Sequence, residues 1–434
     1  MAVKKKSNTT GGRVAIVEGV RTPFLRSYTQ FKDLTAVDLA KFAVRELLER
    51  TDLDPELIDE VIMGCVLPPI NAPNVAREVV LALGLPRRIP GFTLQRACAS
   101  SAQALITATE GILAGEYQVV VVGGTESMSN VPVPYAKGAI DSLMSFSKAK
   151  SVPARMKALA GLNMKDLIPS APSIAEASTG KSMGQHAEMM ARKNGITRAE
   201  QDELAYQSHQ RAAAAWEAGK MAEEVCTVWP QPRFEPVKND NFVRKDTTVE
   251  ALAKLGPVFD RKYGSLSAGN SSGLTDGAAA VLVMSEEKAK ELGYEPLCFV
   301  RSWATASLDP DDQLLLGPAY AVPLALDKAG LKLGEIDLME MHEAFAAQVL
   351  SVLKMLESPE FCKEKLGRDE PLGAVDRARL NVNGGSIALG HPFGATGARM
   401  ISGAAHELKR RNLKTACLSL CAAGGIGTAL ILER

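Results

Sequence analysis

Two distant stretches of the chain follow one pattern. LAKFAVRELLERTDLDPELIDEVIMGCV, Leu39 to Val66, reads as an amphipathic helix, a polar turn and a buried strand. PAYAVPLALDKAGLKLGEIDLMEMHEAFA, Pro318 to Ala346, reads the same way, with Ile58-Asp59 in register with Ile336-Asp337 and Met63 with Met341. A second echo accompanies each copy. The apolar helix beginning at CASS and the strand VVVVGG are mirrored by GHPFGATGARMISGAAHELKRR and LSLCAAGGIG. The period is too long for a solenoid, so two similar halves are expected to face each other across a pseudo-twofold axis. Strand-like RVAIVEGV, helix-like TAVDLAKFAVRELLERT and strand-like IDEVIMGCV and YQVVVVGGTESMS alternate, which marks an α/β protein with covered sheets.

Composition shifts between the copies, from about Asn130 to Gly264, where helical MGQHAEMMARKNGITRAEQDELAYQSHQRAAAAWEAG is followed by the polar WPQPRFEPVKNDNF. The expected organisation is an N-terminal half from 1–129 and 265–285, an inserted loop domain at 130–264, and a C-terminal half at 286–434. With 434 residues, 46% of them hydrophobic, the chain can bury such a core. Lys plus Arg and Asp plus Glu both number 50, so the basic excess of a nucleic-acid binder is missing. The cysteines (65, 98, 226, 298, 362, 417 and 421) are odd in number and scattered, which suits reduced thiols rather than disulfides or a zinc site. The start, MAVKKKSNTTGG, has no apolar core of a secretory signal, and no run of 18 apolar residues exists. A soluble, cytoplasmic protein is expected.

Four segments place a reactive residue among Gly, Ala or Ser. Cys98 in CASS sits where a strand or loop meets a helix, a position at which free backbone amides and the helix dipole favour a thiolate. His342 follows the strand IDLMEM, His391 precedes a Gly-rich helix start in GHPFGATG, and Cys421 ends a strand before GGIG. Singly, each has a plain structural reading as a core cysteine or a satisfied histidine. GGIG is not a dinucleotide fingerprint, because a strand follows it. Together, two thiols and two imidazoles at equivalent ends of two halves suit acyl transfer with carbon–carbon chemistry. One thiol attacks a carbonyl, a histidine takes its proton, and a second thiol with an ordinary pKa near about 8.5 serves as acid/base beside a thioester carbanion.

VEGVRTPF, CASSAQAL, VVVGGTESMS, SAGNSSGLTDGAAA, NGGSIALGHPFGATGAR and CAAGGIG together resemble the thiolase family over essentially the whole chain. The resemblance implies a thiolase fold, a five-layer αβαβα sandwich of two duplicated halves with an inserted loop domain. It implies Cys98 as the acyl-accepting nucleophile, His391 as its activating base, Cys421 as the acid/base, and the Cys98 and Ala423 amides as one oxyanion hole. His342 with His391 would form the other. SAGNSSG would place Ala268 and Ser272 on the pantetheine arm of coenzyme A, and by spacing Arg244, Phe259 and Met183 would also touch coenzyme A; Arg244 reads equally well as a solvated charge. Coenzyme A is a substrate here, and no metal or other cofactor is implied.

Many family members have Asn-Glu-Ala-Phe where this chain has His342-Glu343-Ala344-Phe345. The histidine resembles that of the β-subunits of fatty-acid-oxidation trifunctional complexes. It implies thiolytic cleavage of 3-ketoacyl-CoA to acetyl-CoA and a shortened acyl-CoA in β-oxidation, by a homodimer bearing α-subunits with enoyl-CoA hydratase and 3-hydroxyacyl-CoA dehydrogenase activity. The rivals are a biosynthetic acetoacetyl-CoA thiolase and a non-catalytic acyl-CoA carrier on the same fold. The segment Lys137 to Leu167 carries six basic residues against Asp141 and Asp166, with Leu143, Met144, Met156, Leu159, Leu162, Met164 and Leu167 as apolar patches. It suits an α-subunit contact, a peripheral membrane contact, or a lid on its own domain.

Overall fold

In a computed structural model, residues 12–168 and 175–434 are described; most of the lysine-rich start lies outside them. Ten strands are β1 Val14–Arg21, β2 Leu25–Arg26, β3 Glu60–Gly64, β4 Gly91–Leu94, β5 Val119–Glu126, β6 Thr275–Ser285, β7 Cys298–Ser307, β8 Leu338–Met341, β9 Thr415–Ala422 and β10 Ile426–Glu433. Nine of them run in the order β4-β3-β5-β6-β1-β7-β10-β9-β8, with β2 paired to β6.

About the β1/β7 junction this order is a palindrome: β3-β5-β6-β1 on one side, β8-β9-β10-β7 on the other. Corresponding pairs also share direction, since β3/β5 and β8/β9 are parallel while β5/β6 and β9/β10 are antiparallel. The duplication seen in sequence is thus one of topology. The two sheets are not separate, however. β1 and β7 pair antiparallel at Val14↔Val300, Ala15↔Phe299 and Ile16↔Cys298, a narrow seam.

The repeated Ile-Asp has a shared task. Asp59 Oδ2 accepts from the amides of Gln118 and Val119 at 2.7 and 3.0 Å, pinning the start of β5 to that of β3. Asp337 Oδ2 accepts from those of Lys414 and Thr415 at 2.9 and 3.1 Å, pinning β9 to β8 in the same way. One carboxylate accepting two amides sets strand order in each half.

Helices α1 Ala36–Thr51, α2 Val75–Ala82, α3 Ser100–Leu113, α4 Lys137–Lys148, α5 Val152–Ala160, α6 Met183–Lys193, α7 Arg198–Glu217, α8 Gly317–Ala329, α9 Ala346–Glu357 and α10 Thr396–Arg411 supply the other layers. α1 starts at a capping box between Thr35 and Asp38 and ends at Asp52 in the left-handed region. Its buried Leu39, Ala40, Ala43, Val44 and Leu47 keep helical spacing and join β3 and β6 residues in one apolar cluster. On the far side α8 and α9 cover the second sheet half. Between the halves, Leu105 of α3 and Ile401 of α10 share a cluster with Val122 of β5 and Leu420 of β9. The layers run helix, sheet, helix, sheet, helix.

The chain leaves the sheet after β5 and returns at β6, and α4 to α7 lie in that excursion. The helical stretch from Met183 breaks into α6 and α7, because Thr197 caps a new helix through Glu200. Buried Arg21 at the end of β1 ties the excursion down. Its guanidinium donates to Glu224 Oε1 at 2.9 Å and to both oxygens of Asp240 at 2.7 and 3.0 Å. Among the described residues, no helix is long and apolar enough to cross a membrane.

Candidate active site

Cys98 lies two residues before α3, in a turn held by Ser100, whose Oγ accepts from the Arg96 amide at 2.9 Å and donates to the Ala97 carbonyl at 2.6 Å. Ala97 takes a positive φ of 43°, and α3 has no side-chain cap. His391 comes from the other half. It follows Gly390, whose φ of 94° only glycine adopts readily, and its amide donates to the Gly273 carbonyl at 3.0 Å. The segment after His391 crosses the end of β5 so closely that a Cβ on Gly124 would lie 1.9 Å from the Gly394 carbonyl oxygen. Glu126 clamps this crossing, accepting from the amides of Val66, Leu67 and Gly394 at 3.0, 2.9 and 3.0 Å.

These devices bring Cys98 Sγ to 3.1 Å from His391 Nε2. Nδ1 of His391 lies 2.6 Å from Thr396 Oγ1. His342, at the end of β8, is fully buried, and its ring centroid is 4.2 Å from that of His391. The nitrogen and sulfur ligand atoms of Cys98, His342 and His391 all fall within 4.8 Å of one another. Cys421, near the end of β9, shares with Cys98 and His391 the wall of a cavity of about 290 Å³. Ala423 lines it too, and its amide and that of Cys98 both face the Cys98 sulfur.

Of the residues expected to meet coenzyme A, Met183, Phe259 and Ser272 line this cavity. Ala268 and Arg244 do not; both are exposed, and the Arg244 amide donates to His209 Nδ1 at 3.2 Å. Apolar Leu274, Leu315, Phe345 and Phe393 complete the wall. Leu274, Phe345 and Phe393 stand in motifs quoted from the sequence, but no periodicity there marks them as a shared apolar wall.

The electrostatics correct two expectations. Cys98 was expected to lean toward thiolate, yet burial pushes its thiol up to about 12, with the Glu126 charge adding to the shift and the Cys98 and Ala423 amides only partly opposing it. Cys98 is only partly buried and lines the cavity. Cys421 was expected near an ordinary thiol value; burial and the neighbouring Cys98 hold it well above that. Burial, aided by the Arg399 charge, takes His391 down to about 3, and burial with His391 and Arg399 drives His342 well below the usual imidazole range. The resting constellation is uncharged: two thiols and two neutral imidazoles. Such a set can pass protons between sulfur, nitrogen and a bound carbonyl compound without first separating charge.

The sequence reading also missed the residues behind His342. Buried Ser386, Arg399 and Glu340 form a chain at its back. Next to it, Glu343 accepts from Ser208 Oγ, Asn381 Nδ2 and the Ile387 amide at 2.7, 2.6 and 3.2 Å.

Residues 14–287 match the family model described as thiolase, N-terminal domain, and 294–434 the one described as thiolase, C-terminal domain. A 3-ketoacyl-CoA thiolase of Vibrio cholerae is 48% identical over 433 residues, covering 100% of both chains. Another of Serratia proteamaculans is 50% identical over 423 residues, covering 98% of this chain and 97% of that one. Among solved structures, human mitochondrial 3-ketoacyl-CoA thiolase matches with a TM-score of 0.83 at 34% identity, covering 98% of this chain and 99% of that one. A Bacillus anthracis acetyl-CoA acetyltransferase also reaches 0.83, at 36% identity, covering 98% and 100%. With matches of this extent on both halves, the chain belongs to the thiolase family.

Proposed function

We propose that this chain is an acetyl-CoA C-acyltransferase that cleaves 3-ketoacyl-CoA with coenzyme A, giving acetyl-CoA and a shortened acyl-CoA. The observation that carries the reading is the 3.1 Å contact of Cys98 Sγ with a neutral His391 Nε2, at a cavity that also holds Cys421. A bound thiol donates to Nε2, which leaves His391 Nδ1–H to donate to Thr396 Oγ1. His391 takes the proton as Cys98 Sγ attacks the 3-keto carbon. The Cys98 and Ala423 amides hold the resulting alkoxide.

Collapse breaks the C2–C3 bond, leaving the acyl group on Cys98 and an acetyl-CoA enolate. His342 and protonated His391 donate to the enolate oxygen, and the Cys421 thiol gives its proton to C2. The Cys421 thiolate then takes the proton of a second coenzyme A, whose sulfur displaces the acyl group. The Cys98 sulfur recovers its proton from His391. Every proton is returned.

Met183, Phe259 and Ser272 contact the pantetheine arm, and the exposed Ala268 and Arg244 its outer part. For assembly we infer a homodimer bearing α-subunits that supply hydratase and dehydrogenase activity, in the cytoplasm. The 137–167 segment is the α-subunit contact; its support is that Met144, Val152, Met156 and Met164 stand 50%, 71%, 61% and 73% exposed beside basic residues.

The test is a thiolysis assay across acyl chain lengths, joined to mass spectrometry of enzyme incubated with acyl-CoA. A thioester on Cys98 with turnover of longer chains is the expected result. Label on Cys421 alone overturns the assignment, activity on acetoacetyl-CoA alone favours the biosynthetic reading, and no turnover leaves a carrier.

A further inference from the structure

His342 presents an atom that hydrogen bonding within the protein does not account for. Its side chain is completely buried and its Nδ1 lies 2.9 Å from Ser386 Oγ, yet its Nε2 has no hydrogen-bond partner among the described residues. Buried polar atoms are rarely left so. This one belongs to the ring packed at a tilt against His391, centroids 4.2 Å apart, in the cluster that holds the Cys98 sulfur.

The proton on that ring can be placed from its partners. Ser386 Oγ has two partners among the described residues, His342 Nδ1 and Arg399 Nη2, which donates to it at 2.9 Å. A guanidinium accepts nothing, so the serine's own proton has one acceptor within reach, His342 Nδ1. A neutral imidazole that accepts at Nδ1 carries its proton at Nε2. The opposite tautomer strands the serine proton and turns a bare lone pair toward the site.

Arg399 and Ser386 are both buried, at 3% and 0% exposure; Glu340 Oε2 stands 3.7 Å from the guanidinium, but burial raises its carboxyl to about 8, so near neutral pH it offsets little of that charge. A buried cation placed to end on one hydroxyl needs a reason beyond packing. We propose that Ser386 and Arg399 are positioning residues that hold His342 in its Nε2–H tautomer, aiming a preformed donor at the enolate oxygen. The proposal rests on the cleavage reading above, and it adds what orients the donor. The guanidinium polarises the Ser386 hydroxyl, and that hydroxyl makes the ring a better donor at its far nitrogen. The second function of Arg399 follows from its sign: a fixed positive charge nearby keeps His342 from taking up a second proton.

The test is a double-mutant cycle with a spectroscopic arm. Ser386→Ala should lower kcat for thiolysis about 10- to 100-fold with KM for coenzyme A little changed, as expected when an orienting partner is lost. Ser386→Thr, which keeps the hydroxyl, should recover most of that loss. In a His342→Asn background, which retains a donor without a tautomer, Ser386→Ala should cost nothing further. Equal losses in both backgrounds overturn the relay and make Ser386 a packing residue. Nitrogen NMR of enzyme labelled at histidine Nε2 has five rings to resolve, and the His342→Asn spectrum identifies the one that matters. A protonated Nε2 in the intact enzyme, mixed in Ser386→Ala, supports the relay; a bare Nε2 overturns it whatever the activity. A protonated Nε2 without thiolysis would instead count against the reaction.

Discussion

Burial acts on Cys98 and His391 in opposite pKa directions and to one chemical end. It raises the thiol to about 12 and lowers the imidazole to about 3, so each is driven to its neutral form. Acylation of Cys98 by a simple acyl-CoA should therefore be nearly level between about pH 5 and pH 9, because neither group of the free enzyme titrates there. Stopped-flow rates across that range check it, and a midpoint near neutrality would reveal a thiolate–imidazolium pair instead. Cys421 makes a separable contribution. Cys421→Ala should still accept an acyl group on Cys98, since that step forms no carbanion, while cleavage of 3-ketoacyl-CoA drops by roughly 10²–10⁴-fold. Cleavage near the wild-type rate would move the proton to another group.

At the scale of elements, the segment from α4 to α5 packs mainly on itself; of the α4 and α5 residues only Ala139 is buried. Deleting about residues 140–166 should leave short-chain thiolysis intact and abolish α-subunit binding, measured by co-sedimentation at two salt concentrations. Liposome binding in parallel separates a membrane role, and no change in either assay leaves a lid. How far such elements were legible in the sequence follows from the range of the forces that set them. α1 could be read from Thr35 and its apolar spacing, because capping and amphipathicity are local. The Ile-Asp echo could be seen but its purpose could not, since Asp59 reaches across to β5. Cys98, His391 and Cys421 were findable by their small neighbours and by family resemblance. Their protonation was not, because desolvation depends on everything packed around them. Ser386 and Arg399 stand in a quoted motif, yet nothing local tells that they meet behind His342.

For the whole molecule, one buried and one partly buried polar joint hold separate regions together. Arg21→Met would strand Asp240 and Glu224 without their cation and should destabilise the protein by about 3–5 kcal/mol, read as a lowered urea midpoint. Restoring neutrality with Asp240→Asn and Glu224→Gln should regain part of it. The second joint links the halves: His406 Nε2 of α10 lies 3.0 Å from Glu18 Oε1 of β1. Burial alone would lower the His406 imidazole and raise the Glu18 carboxyl, but their mutual bond outweighs it, leaving His406 raised and Glu18 lowered. The raised histidine stabilises the fold below its unfolded value near about 6.5, and that share is lost as pH climbs through the folded value. The depressed carboxyl stabilises above its unfolded value and is lost as pH falls through the folded one. The Tm gap between wild type and His406→Gln should accordingly be widest near pH 5–6 and shrink above about pH 7; a gap independent of pH would make the contact incidental.

The placing of β6 between β5 and β1 has a consequence for synthesis. Both neighbours leave the ribosome long before it does, since residues 127–274 intervene between β5 and β6. At about 5–20 residues per second, two apolar strands wait on the order of ten seconds with an open edge. Throughout that interval the nascent chain offers unpaired backbone to other chains, which is the condition under which strands join the wrong sheet. Slowing the arrival of β6, for instance with rare codons between β5 and β6, should therefore lower the yield of folded protein even though the finished core is unchanged.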